Sequence, residues 1–155
     1  MKWEAIVIHH SLTKDGKTVS AQAIRRYHMD VLGWTDTGYQ FLVEDINGRW
    51  EALIGRGLDK AGSHTRQQGM NRKAIGVCLV GNFDIAPPQE GMLLFTVNKV
   101  VVPMMKVFGI SLEDIYPHRK FATYKSCPGV KFPWVTFINM VREASGMPPT
   151  EPAKA

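Results

Sequence analysis

Hydrophobic and polar residues along the chain fall into blocks with the lengths and patterns of strands and hairpins. The segment WEAIVIHHS, close to the N-terminus, is rich in residues of high strand propensity and predicts a central strand. AIGVCLVG is a second apolar run and predicts another buried strand. Between them, GYQFLVEDINGRWEALIG contains two strand-like runs around Asn47-Gly48, a strong signal for a two-residue hairpin turn.

The segment AQAIRRYHMDVLG predicts the first helix, after a turn in TKDGKT. Its apolar positions recur every four residues: Ala23, Tyr27 and Val31, with Ile24 alongside. This spacing predicts a single apolar face directed at the core. Ser20 is a good N-cap for this helix, and Gly33 is a suitable C-cap.

Two more helices are predicted in the second half of the chain. PPQEGMLLFTVNKVVVPMMKVFG predicts a long helix that is kinked or restarted at Pro103. FPWVTFINMVREASG predicts a final amphipathic helix that ends at Gly146. The order strand, helix, hairpin, strand, helix, helix predicts an α/β (mixed α+β) fold, in which helices cover a mixed sheet. We expect one domain over residues 1–146 and a disordered tail over 147–155.

Composition and charge place the chain among soluble globular proteins. It has 155 residues, 45% hydrophobic and 21% charged, which suits a single domain with a real core. No apolar run is expected to span a membrane, and MKWEAIVIHH lacks the features of a signal peptide, so synthesis in the cytoplasm is expected. The net charge of +5 favours anionic partners, but the basic residues are spread along the chain and no nucleic-acid partner is expected.

The two cysteines have different surroundings in the sequence. A cytoplasmic chain argues against a disulfide between them. Cys78 lies within the second apolar run and is predicted to be a small buried hydrophobe. Cys127 lies in a polar segment bounded by proline and glycine, where packing in the core explains it less well.

Histidine and cysteine residues at three places raise the question of a metal site. IVIHHS places His9 and His10 at the end of the first strand, where neighbouring side chains point to opposite faces. In PHRKFATYKSCPG, His118 and Cys127 lie nine positions apart across a loop. Zinc takes such nitrogen and thiolate ligands, and a strand histidine could supply the third. The spacing alone leaves two alternatives open: ordinary hydrogen-bonded histidines, or a cysteine hydrolase with Cys127 as nucleophile and His118 as base.

Four segments in order carry a family resemblance that covers nearly the whole chain up to the final helix. They are IVIHHS, IRRYHMDVLGWTDTGYQFLVEDINGRWEALIGRG, GSHTRQQGMNRKAIGVCLVGNFD and PHRKFATYKSCPG. With these motifs the chain resembles the N-acetylmuramoyl-L-alanine amidases of the type-2 superfamily, which includes phage lysozyme-type amidases and peptidoglycan recognition proteins. The His118–Cys127 loop differs from the family pattern in being about one residue longer.

The resemblance implies a Zn²⁺ ion and a set of site residues. The implied zinc ligands are His9, His118 and Cys127. The implied catalytic residues are Tyr39 and Lys125, the latter as a stabiliser of the oxyanion. The implied substrate-binding residues are His64 and, for the stem peptide, Asn71 and Arg72. His28 on the first helix is expected to be structural, and Arg56 and Arg119 are further candidates for the carboxylates of the stem peptide.

The implied activity is zinc-dependent hydrolysis of the amide bond between N-acetylmuramic acid and L-alanine in peptidoglycan, by a monomer that does not insert into membranes. The expected role is that of a phage or prophage endolysin, which reaches the cell wall after the membrane is opened. A cytoplasmic enzyme that recycles muropeptides, or a non-catalytic peptidoglycan-binding module of the same fold, are the alternatives. The resemblance implies that non-catalytic members have lost the thiol, so Cys127 favours activity.

Overall fold

The computed structural model of the protein describes residues 1–12, 21–34 and 36–146. The predicted turn at 13–18, the predicted N-cap Ser20 and the predicted tail at 147–155 lie outside these ranges. The division of the chain at residue 146 therefore stays a prediction.

Five strands and five α-helical segments form the described structure. The strands are β1 Ala5–His10, β2 Phe41–Ile46, β3 Arg49–Ile54, β4 Ala74–Leu79 and β5 Ile115–Pro117. The α-helices are α1 Ala21–Arg26, α2 Met70–Lys73, α3 Glu90–Thr96, α4 Val102–Phe108 and α5 Trp134–Ala144. The π-helical turns are Tyr27–Val31 and Val97–Val101, and the 3₁₀ turns are Gln67–Gly69, Leu112–Asp114 and His118–Lys120.

The strands form one mixed sheet in the order β3-β2-β4-β1-β5, which confirms the predicted α/β class. β1 is an interior strand, as predicted, and pairs in parallel with β4 and β5. β2 and β3 form the predicted antiparallel hairpin, and both Asn47 and Gly48 have the positive φ of a type I′ turn. The parallel pairing brings the C-terminal ends of β1, β4 and β5 to one edge of the sheet.

The two faces of the sheet pack against different parts of the chain. Ile6 and Ile8 point to the face covered by α3, α4 and α5, where the main hydrophobic core lies. Val7 and His9 point to the other face, where two smaller apolar clusters lie. His9 pairs in register with Cys78 on β4, so these two side chains lie next to each other on the second face.

The prediction that the first helix has a single apolar face directed at the core is wrong in part. Ile24 is buried, but Tyr27 is 53% exposed and Val31 is 66% exposed. The helix changes to π-helical geometry after Arg26, and the Leu32 N–H donates to the Tyr27 carbonyl five residues before it. The π-helical turn Tyr27–Val31 contains no buried residue, so the buried part of this helix is confined to the residues before it.

Residues Glu90–Phe108 run as one helix whose middle turn is π-helical. The wide turn ends just before Pro103, which has no N–H to donate, so the helix restarts there as predicted. By length and composition alone this stretch could cross a membrane, contrary to the expectation from the sequence. Core helices meet the same criterion, and 44% of this stretch is buried, with Val97, Val100 and Val101 in the main core.

Candidate metal centre and groove

Three buried side chains meet at the C-terminal edge of the sheet. His9 ends β1, His118 follows β5, and Cys127 comes from the loop after it. Because Ile8 and Pro117 are paired across β1 and β5, the two histidines come next in register and their rings lie 4.4 Å apart. One potential ligand atom from each of the three residues lies within 4.8 Å of the others.

The donor set fits a tetrahedral zinc ion. The Cys127 Sγ lies 3.8 Å from His9 Nδ1, close to the ~3.6 Å that tetrahedral geometry gives for Zn–S and Zn–N bonds of ordinary length. Burial lowers the pKa of His9 well below its usual value and that of His118 to about 4, so both imidazoles are neutral and carry a free lone pair. His9, His118 and Cys127 are therefore the residues that could hold the metal.

The thiol of Cys127 is protonated at neutral pH while no metal is bound. Burial raises its pKa to about 11, although a hydrogen bond from the backbone N–H of His10 at 3.4 Å opposes the shift. A metal would have to displace this proton, as it does when it binds any thiol ligand. A thiol held in this state is a poor nucleophile, which argues against the cysteine-hydrolase alternative.

His10 has turned away from the cluster, as the alternation along a strand requires. Its Nδ1 accepts a hydrogen bond from the backbone N–H of Phe83 at 3.1 Å, and its ring lies 5.9 Å from the Phe83 ring. Its side chain therefore holds the segment after β4, while its backbone N–H contacts Cys127.

Tyr39, just before β2, lies beside His9 with a distance of 5.1 Å between ring centroids. Burial raises the pKa of its phenol well above the usual value, so the hydroxyl carries its proton at neutral pH. Its side chain also packs against the small apolar cluster of Ile24, Leu42 and Cys78. The structure brings this predicted catalytic residue next to the predicted ligand His9.

A groove of about 360 Å³ opens beside the cluster. Its lining residues are Trp34, Ser63, His64, Thr65, Arg66, Gln67, Asn71, His118, Tyr124 and Lys125. Lys125 is exposed, and its positive charge contributes to the low pKa of His9 and His118. Arg66 and Lys125 give this lining a cationic character, and none of the lining residues that the structure describes carries a carboxylate.

The predicted substrate-binding residues occupy three different positions. His64 is buried and hydrogen-bonded to His9, with 3.0 Å between His64 Nδ1 and His9 Nε2. Asn71 lines the groove, and its Oδ1 accepts hydrogen bonds from the backbone N–H groups of His64 and Thr65 at 2.8 and 2.7 Å. Arg72 is exposed and does not line the groove.

Three other basic or titratable candidates hold loops. Arg56 donates to the backbone carbonyls of Thr37 and Ala61 at 3.1 and 3.0 Å. Arg119 points at the carbonyl of Ser126, at 3.4 Å. The Nδ1 of His28 accepts from the backbone N–H of Gly38 at 3.0 Å, in keeping with the structural role expected for it.

The path of the loop from His118 to Cys127 begins with a 3₁₀ turn at His118–Lys120. It then folds back so that the Arg119 N–H donates to the Cys127 carbonyl at 2.8 Å. Asp84, which follows β4, holds the far end: its Oδ2 accepts from Ser126 Oγ at 2.9 Å and its Oδ1 from the Val130 N–H at 2.8 Å. This clamp brackets Cys127 on both sides.

Several residues of the site were missed at the level of the sequence. They are Trp34, Ser63, Thr65, Arg66, Gln67, Asp84 and Tyr124. Thr65, Arg66 and Gln67 directly follow His64 within a segment that carries the family resemblance, so that segment could have pointed to them. Asp84 ends the same segment, but its contacts lie 42 and 46 positions away and leave no local pattern.

Comparison with known proteins places the chain in a family. Residues 1–130 match the family described as N-acetylmuramoyl-L-alanine amidase. The endolysin of Enterobacteria phage K11 is 42% identical over 148 residues, which cover 90% of this chain and 89% of that protein. Peptidoglycan-recognition protein SC2 of Drosophila melanogaster is 31% identical over 128 residues, which cover 79% of this chain.

Some relatives are matched over only part of their length, and a solved structure shares the fold of this chain. The aligned part spans 66% of the Drosophila protein and 50% of the endolysin of Enterobacteria phage T3, so several relatives are matched over half to two thirds of their length. The solved structure of the N-acetylmuramoyl-L-alanine amidase LysC from Clostridium intestinale shares the fold, with a TM-score of 0.76, 22% identity and coverage of 96% of this chain and 88% of that one. The family match and the phage K11 relative confirm the resemblance drawn from the four sequence motifs: the chain belongs to the N-acetylmuramoyl-L-alanine amidase family.

Proposed function

We propose that this chain is a zinc-dependent amidase that hydrolyses the bond between N-acetylmuramic acid and L-alanine in peptidoglycan. The observation that carries the proposal is the meeting of His9, His118 and Cys127 within 4.8 Å at the end of an open groove. Two neutral imidazoles and one thiol are a donor set typical of zinc hydrolases, which keep a fourth position open. When bound, zinc supplies Lewis-acid polarisation and an activated water at neutral pH.

Lys125 is proposed to stabilise the negative charge that develops on the carbonyl oxygen of the scissile amide. It lines the groove together with the proposed ligand His118, and its positive charge helps to lower the pKa of His9 and His118. A cation at this position stabilises the transition state more than the ground state, because the charge appears only as the reaction proceeds.

Tyr39 is proposed to donate a hydrogen bond at the reacting centre. Its ring lies next to His9, and its raised pKa keeps the phenolic proton in place at neutral pH. A phenol that holds its proton donates to the oxygen atoms of a tetrahedral intermediate and does not act as a base.

The groove is proposed to bind the stem peptide. Arg66 and Lys125 offer positive charge to its carboxylates, and the indole of Trp34 offers an apolar surface. Asn71 takes part indirectly, because its Oδ1 fixes the backbone of His64 and Thr65, which line the same groove.

A role as an endolysin is proposed on the basis of the phage K11 relative, which matches over nearly the full length of both chains. Cells that express the chain should then lyse only when the inner membrane is opened, for example with chloroform. Lysis that fails even with an open membrane, together with rapid turnover of small muropeptides, would instead support a recycling enzyme.

The second candidate is a peptidoglycan-binding module without turnover, which the Drosophila recognition-protein relative favours. The assay that separates the two uses purified peptidoglycan and measures the release of new L-alanine amino groups. We expect release that a chelator abolishes and that added Zn²⁺ restores. Binding without release would support the module, and release that survives the chelator would contradict zinc dependence.

Two variants sharpen this assay. Cys127→Ser removes the thiolate ligand and is expected to abolish both zinc retention and amine release. Cys78→Ala removes the other buried thiol, which does not belong to the ligand cluster, and should retain zinc. Full activity in Cys127→Ser would overturn the assignment of the ligand set.

A further inference from the structure

The two ring nitrogens of His64 are both engaged inside the protein. His64 Nε2 lies 3.0 Å from the carbonyl oxygen of Ala74, at the start of β4. A carbonyl oxygen can only accept a hydrogen bond, so Nε2 must carry the proton. In a neutral imidazole the other nitrogen, Nδ1, is then a bare acceptor.

This bare nitrogen faces the metal-site histidine. His64 Nδ1 lies 3.0 Å from His9 Nε2. Since Nδ1 has no proton to give, the proton between the two rings belongs to His9 Nε2, which donates. The neutral ring of His9 then has its lone pair on Nδ1, the atom that lies 3.8 Å from the Cys127 Sγ.

Thr65 is compatible with the same proton arrangement. Its Oγ1 lies 3.0 Å from His64 Nδ1 and 3.4 Å from His9 Nε2. The hydroxyl can donate to the first nitrogen or accept from the second, and either choice leaves His9 Nδ1 free. Only a doubly protonated His64 would reverse the order, and burial opposes that by lowering the pKa of His64 to about 4.

The fold provides a narrow slot for the His64 ring. A Cβ atom added at Gly76 or at Gly62 would come within 2.5 Å of His64 Cδ2. Only residues without a side chain let the ring lie this close to β4 and to its own loop. The backbone N–H groups of His64 and Thr65 are in turn held by Asn71 Oδ1.

We propose that His64 is a positioning residue. It donates from Nε2 to the Ala74 carbonyl and accepts at Nδ1 from His9 Nε2, which leaves His9 Nδ1 as the metal-binding atom. The proposal rests on the zinc site of the proposed function. His64 then acts in metal binding and not through a hydrogen bond to the substrate, because both of its ring nitrogens are already hydrogen-bonded inside the protein. Partners of this kind, which orient a ligand, typically change metal affinity about 10- to 100-fold when they are removed.

Two substitutions test the two hydrogen bonds of His64, to Ala74 and to His9, separately. His64→Asn places an acceptor close to the position of Nδ1 and gives up the bond to Ala74. His64→Gln places an amide donor close to the position of Nε2, keeps the bond to Ala74 and removes the acceptor for His9. Zinc affinity is measured by competition with a chelator of known affinity, and thermal unfolding of the metal-free proteins shows whether each variant is folded.

We expect His64→Asn to bind Zn²⁺ within a few-fold of the wild type, and His64→Gln to bind it about 10- to 100-fold more weakly. A role in holding the fold alone would lower the stability of both variants and leave their zinc affinities alike. A role in substrate binding alone would leave the zinc affinity of both variants unchanged. Either of these results would overturn the proposal.

The wild-type protein provides a test that does not depend on any variant. Long-range ¹H–¹⁵N NMR of the metal-free protein distinguishes the two imidazole tautomers. We expect both His64 and His9 to carry the proton on Nε2. A proton on Nδ1 of His9 would overturn the proposal even if both variants failed to fold. Neither measurement uses a substrate, so an absence of amidase activity would leave the result intact.

Discussion

Lys125 is an exposed side chain whose charge acts on a buried cluster. It lines the groove, while Lys120, five positions before it, is also exposed and does not line the groove. Variants of these two lysines can therefore distinguish a local effect of charge on catalysis from a general effect of surface charge.

For Lys125→Met we expect kcat to fall about 100-fold, because loss of one oxyanion donor typically costs ~3 kcal/mol. Zinc affinity should change little, since Lys125 is not a ligand. The matched control, Lys120→Met, should keep kcat within about twofold, in line with the small effect of an exposed charge. Steady-state kinetics on a soluble muropeptide checks both variants, and equal losses in the two would contradict the assignment.

The buried histidines make the stability of the metal-free protein depend on pH. Burial lowers the pKa of His64 and His118 to about 4, whereas an unfolded histidine titrates near ~6.5. The unfolded chain therefore binds protons first as the pH falls. The stabilising contribution is complete above ~6.5 and is lost between ~6.5 and about 4.

We expect the free energy of unfolding of the metal-free protein to fall by a few kcal/mol between pH 7 and pH 4.5, since each unit of pH contributes up to about 1.4 kcal/mol per group. Urea denaturation at the two pH values measures the difference. His118→Asn removes one titrating group and should flatten the dependence. An unfolding midpoint that does not move with pH would show that these rings are not buried as neutral groups.

At the scale of elements, the loop from Ser126 to Val130 depends on one carboxylate. Hydrogen bonds from the Val130 N–H and Ser126 Oγ lower the pKa of Asp84. The clamp is therefore fully charged above ~4 and weakens as the pH falls from there through the lowered pKa. The loop carries Cys127 between the two clamped positions.

Asp84→Ala is expected to weaken zinc binding about tenfold or more, because the thiol ligand would no longer be held in place. Asp84→Asn keeps an acceptor for the Val130 N–H and should lie between the alanine variant and the wild type. Ser126→Ala removes only one of the two hydrogen bonds and should have the smallest effect. The same competition with a chelator measures all three, and unchanged affinity in Asp84→Ala would contradict the role of the clamp.

The elements that could be predicted from the sequence are those with local signals. The hairpin at Asn47-Gly48 and the stop at Gly146 follow from turn and cap chemistry between neighbouring residues. The face of the first helix could not be predicted, because Tyr27 and Val31 keep the four-residue spacing of an apolar face and yet are exposed. The hydrogen bond between His64 and His9 joins residues 55 positions apart, so only the folded sheet brings them together.

At the scale of the whole molecule, a net charge of +5 would attract the proposed substrate, which is an anionic polymer. Long-range attraction of this kind is screened over about 8–10 Å at physiological salt. The rate of association with the wall should therefore fall as salt is raised, while the chemistry in the groove should change less.

We expect the amidase activity on intact peptidoglycan to fall several-fold between about 20 and 300 mM NaCl, mainly through KM. A small soluble muropeptide carries few charges and should show a weaker dependence. Initial rates on the two substrates across the same salt series check this. An equally steep decline for both would place the salt-sensitive step inside the site.

The three predicted metal ligands come from the first strand and from a loop more than one hundred residues later, and they meet only where β1 pairs with β5. During synthesis, a nascent chain that has not yet reached residue 127 holds at most two of them. With the proposed ligand set, tight retention of metal would begin only after residue 127 has been made and β1 has paired with β5. Metal content would then distinguish molecules that contain the folded site from truncated or misfolded ones.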